Sequence, residues 1–436
     1  MGVFSGLYDH PRTFSRILVH PTQELPSPQA FRGGPDWPNF EAQIFARHCW
    51  GAIPRPIDFK PHPACAEWPY FDRARYLNPR YSSRRRWRAI VRIPEPREAA
   101  PEQEFDSVDH GFWCGAVNEH FGVMVAHYGM RIAASSHIEP EAPLVFSIYP
   151  LHDAEPPAFF WEIISHLGVD RRRVMLVRKP TRFSRLSVVP QAERPFGGGP
   201  SARHLRLMEA LTGSPCATER DQPAVFVSRS RLDRGNIAGE SFLDEAFEAA
   251  GIRVFHPQAA DLHTQLQLYR KTRRLIFSEG SALHALQLLG RINAEIIVLT
   301  RRPGDRLAAA SLRPRARSLR YLDAISGIVH GVNQAGEALL AKGISVLDDK
   351  ALLAKLKTVG IDLAPYWDAS AYRSRRDASI SAWIAQRLAS PVHPLERSTI
   401  ERSLARVGLS ACMREPAGRL DPGNPDTLKV ERAEQS

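Results

Sequence analysis

Paired cysteines are missing from this chain. Its 436 residues hold five cysteines, Cys49, Cys65, Cys114, Cys216 and Cys412, scattered and odd in number. None forms a C-x-x-C pair, which removes a disulfide framework and a zinc knuckle from the readings that spacing supports. A reducing cytoplasm is the simplest home. Long apolar runs are also missing. No stretch approaches the ~20 residues that span a bilayer as a helix. The start, "MGVFSGLYDHPRTFSRILVHP", lacks an apolar core followed by a small-residue cleavage site, so no secretory signal is expected. No complete dinucleotide or Walker glycine fingerprint occurs. No Asp-x-Asp follows a predicted strand; Asp348-Asp349, after "ISVL", reads as a helix cap.

An acidic excess is absent too. Lysine and arginine total 58 against 47 aspartates and glutamates, a net charge of +11. Basic clusters stand at "RRRWR" (84–88), "RRR" (171–173), "RKTRR" (270–274) and "RPRARSLR" (313–320). Such a balance favours an anionic partner: nucleic acid, a phosphorylated ligand or an acidic membrane surface. Each single cluster reads more readily as a solvated face. "RYSSRRRWRAIVR" (80–92) interleaves aromatics with arginine as nucleic-acid binders do, yet "RAIVRI" alternates like a strand and no nucleic-acid motif accompanies it.

Proline and aromatics crowd residues 1–100, which read as an irregular extension with short strands. From 101 to 200 the pattern predicts a helix over 118–134, a buried strand over 142–150, a helix over 157–169 and a strand over 172–180. "RPFGGGPS" (194–201) is the best domain boundary. From 201 to 345 short apolar strands alternate with helices. Strands are predicted at 223–230, 252–257, 274–278 and 294–300. Helices are predicted at 239–251, at 261–272 with Asp261 as cap, and at 281–290. Alternation of this kind means β-α-β units in a parallel sheet covered on both faces. Beyond 345, "DKALLAKLKTVG" and "ISAWIAQRL" read as helices, as does "AGEALLAKG" (335–343) just before. The tail "EPAGRLDPGNPDTLKVERAEQS" reads as disordered.

The most informative stretch is "RRLIFSEGSALHALQLLG" (273–290). A buried strand stops on Ser278-Glu279-Gly280-Ser281, and His284 lies in the first turn of the next helix. In a doubly wound sheet, ligands bind outside the carboxyl ends of strands. A helix starting there offers unpaired N–H groups that suit a diphosphate. Gly280 permits close backbone approach, and Ser281 can cap the helix or donate a hydrogen bond. An ordinary βα turn needs small residues as well, so the neighbours decide. The strand "AVFVSRS" ends in Ser228-Arg229, with Arg234 beyond it and Glu240 opening the next helix. Arginines past a strand end suit phosphates, and a carboxylate such as Glu240 suits ribose or sugar hydroxyls. Gln265 sits on the intervening helix.

This order resembles the family-61 glycosyltransferases, bacterial type. The matching pieces are Arg229 in "VFVSRS", Arg234, Gly239-Glu240, Gln265 in "LHTQLQLY" and "EGSALHAL" at 279–286. Gly239 stands where the family usually has Asn, and His284 where Asn is common. A second block, "HFGVMVAHYGMR" (120–131), resembles the family's "HFGHFLxExLxR": His120, Phe121, Gly122 and Arg131 match, while Val123 and His127 depart from it. "RFSRLSVVP" (182–190) resembles its connector. The resemblance implies a GT-B arrangement of two Rossmann-like lobes facing a cleft. An acceptor lobe would fill 101–200 and a nucleotide-sugar lobe 201–345, with a helical segment over 346–436. It implies inverting, metal-independent transfer from a UDP-linked sugar, with no cofactor and no metal ligands, to a glycan or lipid-linked glycan in surface or capsular polysaccharide synthesis. The enzyme would work in the cytoplasm, with peripheral contact at an anionic inner membrane face and no nucleic acid as partner. His120 is implied as the base, since histidine takes protons near neutral pH. Asn118 and Arg131 are implied on the acceptor side. Arg229, Arg234, Glu240, Gln265, Glu279, Gly280, Ser281 and His284 are implied at the donor. The alternatives are a transferase-like binding protein that has lost its chemistry, suggested by Val123, His127 and Gly239, and an arginine-rich nucleic-acid binder.

Overall fold

The protein is represented by a computed structural model. It describes residues 106–148, 155–177, 181–188, 192–193, 199–200, 202–213, 222–232, 235–304 and 306–413, with four short strands before them. Most of the proline-rich extension, the "RRRWR" cluster, most of "RPFGGGPS", Arg234 and the tail lie outside the described residues. Within them the protein is a mixed α/β fold with parallel sheets, and it divides into two compact units. One comprises residues up to 228 with 251–300 and 304–322; the other comprises 229–250, 301–303 and 323 onward.

The first unit holds both large sheets. One is built on β1 (Leu18–His20), β2 (Gln23–Leu25), β5 (Asp106–Val117), β6 (Leu144–Ile148), β7 (Val174–Val177) and β8 (Thr181–Val188), in the order β1-β8-β5-β6-β7 with β2 also on β8. β5, β6, β7 and β8 run parallel, and β1 and β2 pair antiparallel to β8. A separate hairpin pairs β3 (Ile53–Arg55) with β4 (Ala89–Val91). The predicted helix over 118–134 is composite: an α turn Phe121–Val123, a π turn Met124–Tyr128, a 3-10 turn Gly129–Arg131, then α1 (Ile132–Ile138). α2 (Ala158–His166) and α3 (Ala202–Thr212) complete this half.

The second large sheet is wholly parallel. Its strands are β9 (Gln222–Val227), β10 (Arg253–Phe255), β11 (Thr272–Ser278), β12 (Glu295–Leu299) and β13 (Ser318–Leu322), in the order β10-β9-β11-β12-β13. Counting from β9, the order is 2-1-3-4-5, a doubly wound arrangement whose switch point lies between β9 and β11. Phe277 pairs with Val227 there, so the two strand ends singled out in the sequence are neighbours. β12 is buried along its whole length, as a central parallel strand must be. α5 (Leu262–Lys271) feeds β11, and the Asp261 side chain caps it by accepting from the Thr264 amide at 2.7 Å. Side chains of both sheets, from Phe112 and Phe146 to Phe277 and Val298, belong to one continuous hydrophobic core.

The second unit packs α4 (Glu240–Ala249) and the antiparallel pair β14 (Ile325–Val329) and β15 (Ile344–Leu347) with α6 (Asp349–Thr358), α7 (Ala369–Ala389) and α8 (Glu396–Arg406). Asp348 caps α6 through the Ala351 amide, as expected. The helix predicted over 335–343 does not form; only a 3-10 turn, Leu340–Lys342, stands there, in the connection between β14 and β15. Phe242 meets Trp367 and Tyr372 ring to ring, fixing α4 against α7. Gly239, just before α4, has φ 72°, and a Cβ there would meet the Arg376 amide at 3.0 Å and the Tyr372 ring at 3.1 Å. Gly and Asn are the residues that enter this left-handed region most readily. Gly239, standing where the resemblance would place Asn, therefore keeps the turn. Gly239→Ala is expected to cost about 1–2 kcal/mol from its backbone alone, and Gly239→Asn less, as measured by urea midpoints. Equal losses would make the Arg376 contact, rather than φ, the constraint.

Candidate active site

The site is built on the carboxyl end of β11. Ser278 and Glu279 are buried, and the Glu279 amide donates to Leu299 O at 2.9 Å. Gly280 is extended and leads into a helix, but not the α-helix expected over 281–290. Ser281–Leu288 is a 3-10 helix with Gly280 as N-cap and no side-chain cap. Its first internal bond runs from the Leu283 amide to Gly280 O, which leaves the amides of Ser281 and Ala282 outside the helix's own bonding. They supply the kind of donors an anion needs.

The second sequence block arrives at this turn. Gly122 is buried, and a Cβ on it would stand 2.9 Å from His284 Cδ2, 3.1 Å from Ser281 Cβ and 3.3 Å from His120 Cε1. The absence of a side chain at Gly122 is what lets the 120–128 helical run close on the turn. His120, Ser281 and His284, far apart in sequence, thus flank one backbone position. His120 is exposed and caps the helical run: its Nδ1 accepts from the Val123 amide at 3.3 Å, and its own amide donates to Asn118 Oδ1 at 2.9 Å. Asn118 makes the turn that presents His120.

Behind the turn lies a polar network that sequence reading missed. His284 Nδ1 is 2.6 Å from Gln287 Oε1, and Gln287 Nε2 donates to Glu193 Oε2 at 3.0 Å. Glu193 Oε1 pairs with the Arg315 guanidinium, and His204 Nε2 lies 3.6 Å from the same oxygen. Glu193 and Arg315 are each 1 % exposed. Burial pushes the Glu193 carboxyl up; Arg315 and His204 outweigh that and hold it at about 2. Arg315 also donates to Ser311 O at 2.7 Å, Leu289 O at 3.0 Å and Gln287 O at 3.2 Å, and His166 bonds Leu288 O at 3.0 Å. Three successive carbonyls at the end of the 3-10 helix are satisfied in this way, one of them by His166 and two by Arg315. Arg315 belongs to the cluster "RPRARSLR", which reads as surface in the sequence; its burial is the correction. The legible signal was Gln287, a lone polar residue three positions after His284 in an apolar run.

The remaining expected residues make contacts of their own. Arg131 is fully buried, and its charge acts to lower the Cys114 thiol against the larger effect of burial. Burial pushes the Cys114 thiol up to about 12. Gln265 donates to Pro257 O at 2.9 Å and Ala260 O at 3.0 Å, holding the turn before α5. In the second unit, Glu240 Oε1 accepts from the Arg229 amide at 2.8 Å and Oε2 from the Ile237 amide at 3.1 Å, while Arg229 Nε donates to Gly235 O at 3.2 Å. Glu240 thereby shapes the loop that carries Arg229. A cavity of about 390 Å³ opens beside it, lined by Ser230, Asn236, Glu240, Ser379, Trp383 and Gln386 among others. Among the described residues, no cluster of three or more His, Cys, Asp and Glu side chains is placed to hold a metal ion. No described helix is long and apolar enough to cross a membrane.

The Glu193–Arg315 pair carries a pH signature. The folded carboxyl titrates near 2, below its ordinary value of 4.5. The pair therefore stabilises fully above about pH 4.5 and loses its contribution as pH falls toward 2. Arg315→Met is expected to lower stability at neutral pH by about 3–5 kcal/mol, because it strands a buried carboxylate. The gap from wild type should narrow below pH 4.5 in urea titrations. A gap that stays constant to pH 2 would contradict this assignment.

No curated protein matches the chain. Residues 116–290, which contain His120, Gly122, Arg229, Glu240 and the whole 279–288 turn, match the family described as Glycosyltransferase 61. The two blocks that meet at Gly122 both fall inside that match, and this stretch of the chain is similar to the family 61 glycosyltransferases.

Proposed function

We propose that this enzyme moves a sugar from a UDP-linked donor to a glycan or lipid-linked glycan acceptor, with inversion, in surface or capsular polysaccharide synthesis. The observation that carries the reading is the convergence of His120, Ser281 and His284 around Gly122, at the switch point of a parallel sheet. The donor's diphosphate would rest on the amides of Ser281 and Ala282. Arg229 is proposed, on sequence grounds, to add positive charge as the leaving group develops its own. Arg234 is proposed beside it on sequence grounds. Metal independence is likewise read from the sequence, which puts no Asp-x-Asp behind a strand. The GT-B reading, with an acceptor lobe over 101–200 and a donor lobe over 201–345, draws support from the doubly wound order of β9 to β13. A cytoplasmic location and contact with an anionic membrane face belong to the same proposal, supported by the net charge of +11.

A thermal-shift screen over nucleotide sugars tests it. Ligand at a hundredfold excess over Kd stabilises the folded state by about 2.7 kcal/mol, so a UDP-sugar should raise the melting temperature and an unrelated oligonucleotide should not. The reverse pattern, with steep salt dependence, would make this a nucleic-acid binder. A melting shift without any turnover would make it a binding protein. Arg229→Ala should weaken UDP binding about tenfold or more, the value of one charge-assisted hydrogen bond. Unchanged UDP affinity in the folded variant would remove Arg229 from the donor site.

A further inference from the structure

We infer that His284, held by the buried Gln287–Glu193 relay, is the general base of the transfer reaction, and that His120 is a hydrogen-bond donor to the substrates. The inference rests on the glycosyltransferase reading and deepens it. It begins with Glu193, whose carboxylate, paired with Arg315, can only accept hydrogen bonds. Gln287 must therefore turn its NH2 group toward Glu193, and it does so at 3.0 Å. That orientation points Gln287 Oε1 at His284, 2.6 Å away. An amide oxygen is an acceptor, so His284 Nδ1 must carry the hydrogen and donate it. The neutral ring then holds its lone pair on Nε2, the nitrogen next to Cδ2. Cδ2 is the atom that approaches Gly122, at the point where His120 and Ser281 also converge.

His120 has the opposite arrangement. Its Nδ1 accepts from the Val123 amide, which places the ring hydrogen on Nε2. In that state the ring can donate to an oxygen but holds no lone pair on Nε2 with which to take a proton. The expected base is thus in the wrong tautomer, and the residue expected only to bind donor is in the right one.

In the transfer step the acceptor hydroxyl oxygen attacks the anomeric carbon as the bond from that carbon to the diphosphate oxygen breaks. The bonding pair leaves with the diphosphate. The hydroxyl proton passes to His284 Nε2. The imidazolium keeps its Nδ1–H on Gln287, and the negative charge of Glu193 lies one hydrogen bond further back. His284 is 8 % exposed. The ionisable groups around it are His120 across Gly122, Glu279 on its own turn, and Glu193, Arg315 and His204 behind Gln287.

Two measurements test this. Long-range proton–nitrogen spectra of protein labelled at histidine nitrogen read each ring's tautomer, with His284 assigned by its loss in His284→Gln. Hydrogen on Nδ1 and an unprotonated Nε2 are expected for His284; hydrogen on Nε2 would overturn the inference whatever the activity. The second measurement is UDP release from UDP-glucose, UDP-galactose and UDP-N-acetylglucosamine across pH. His284→Gln should cut turnover at least a hundredfold, with UDP affinity unchanged and the acid limb of the pH profile gone. His120→Ala should keep that limb. Gln287→Leu should lower turnover and shift the acid limb, and Gln287→Asn should restore part of both. Wild-type turnover in folded His284→Gln, or loss of the limb in His120→Ala, would overturn the inference. If the wild type neither binds UDP nor turns over any of these sugars, the transferase reading fails, and the tautomer alone decides whether the relay stands.

Discussion

The buried pair of Glu193 and Arg315 is the constraint on which the site depends. Two charges without solvent are stable only when their remaining hydrogen-bonding capacity is used. Arg315 uses its capacity on Glu193 and on the carbonyls that end the 3-10 helix. Glu193 uses its capacity on Arg315 and Gln287, with His204 3.6 Å away. Each bond draws Ser281–Leu288 toward the same buried point. A 3-10 helix is a weaker structure than an α-helix, with poorer bond geometry and few residues to share strain. Eight residues of it persist here because both ends are tied: Gly280 continues directly from β11 through Glu279, and the far end is bonded by Arg315 and His166.

Gly122 supplies the complementary constraint from the other side. The polar network fixes where His284 stands, and the missing side chain at Gly122 fixes what stands in front of it. Overpacking at such a position costs typically about 1–3 kcal/mol, because the neighbour to be displaced is itself held by hydrogen bonds. The two constraints explain why the family's separate sequence blocks both matter. One makes a strand-to-helix turn, and the other closes over it.

Much of this was legible in the sequence. The parallel sheet followed from short apolar runs between helices, and Asp261, Asp348 and Gly251 marked element ends that the structure retains. The turn at 278–284 was legible from small residues at a strand end and the block at 120–131 from its resemblance to the family, but their meeting at Gly122 was not. The Glu193–Arg315 pair was not legible. Its members are 122 residues apart, and nothing local distinguishes a buried arginine from its solvated neighbours in "RPRARSLR". Likewise the 3-10 form of 281–288 depends on long-range bonds to its carbonyls rather than on its own apolar pattern. The 335–343 segment failed in the other direction: alanine, leucine and lysine favour a helix, but the stretch has only to join β14 to its antiparallel partner β15, and a single 3-10 turn suffices.

At the centre of the proposed mechanism, the turn after β11 would hold a diphosphate in front of a His284 ring that is oriented from behind. A crystal structure of the protein with UDP bound tests that arrangement most directly. The diphosphate should lie within hydrogen-bonding distance of the Ser281 and Ala282 amides, with His284 Nδ1 still on Gln287 and Nε2 facing the space beyond the terminal phosphate. UDP bound at another place, with the turn empty and the ring rotated away from Gln287, would contradict it.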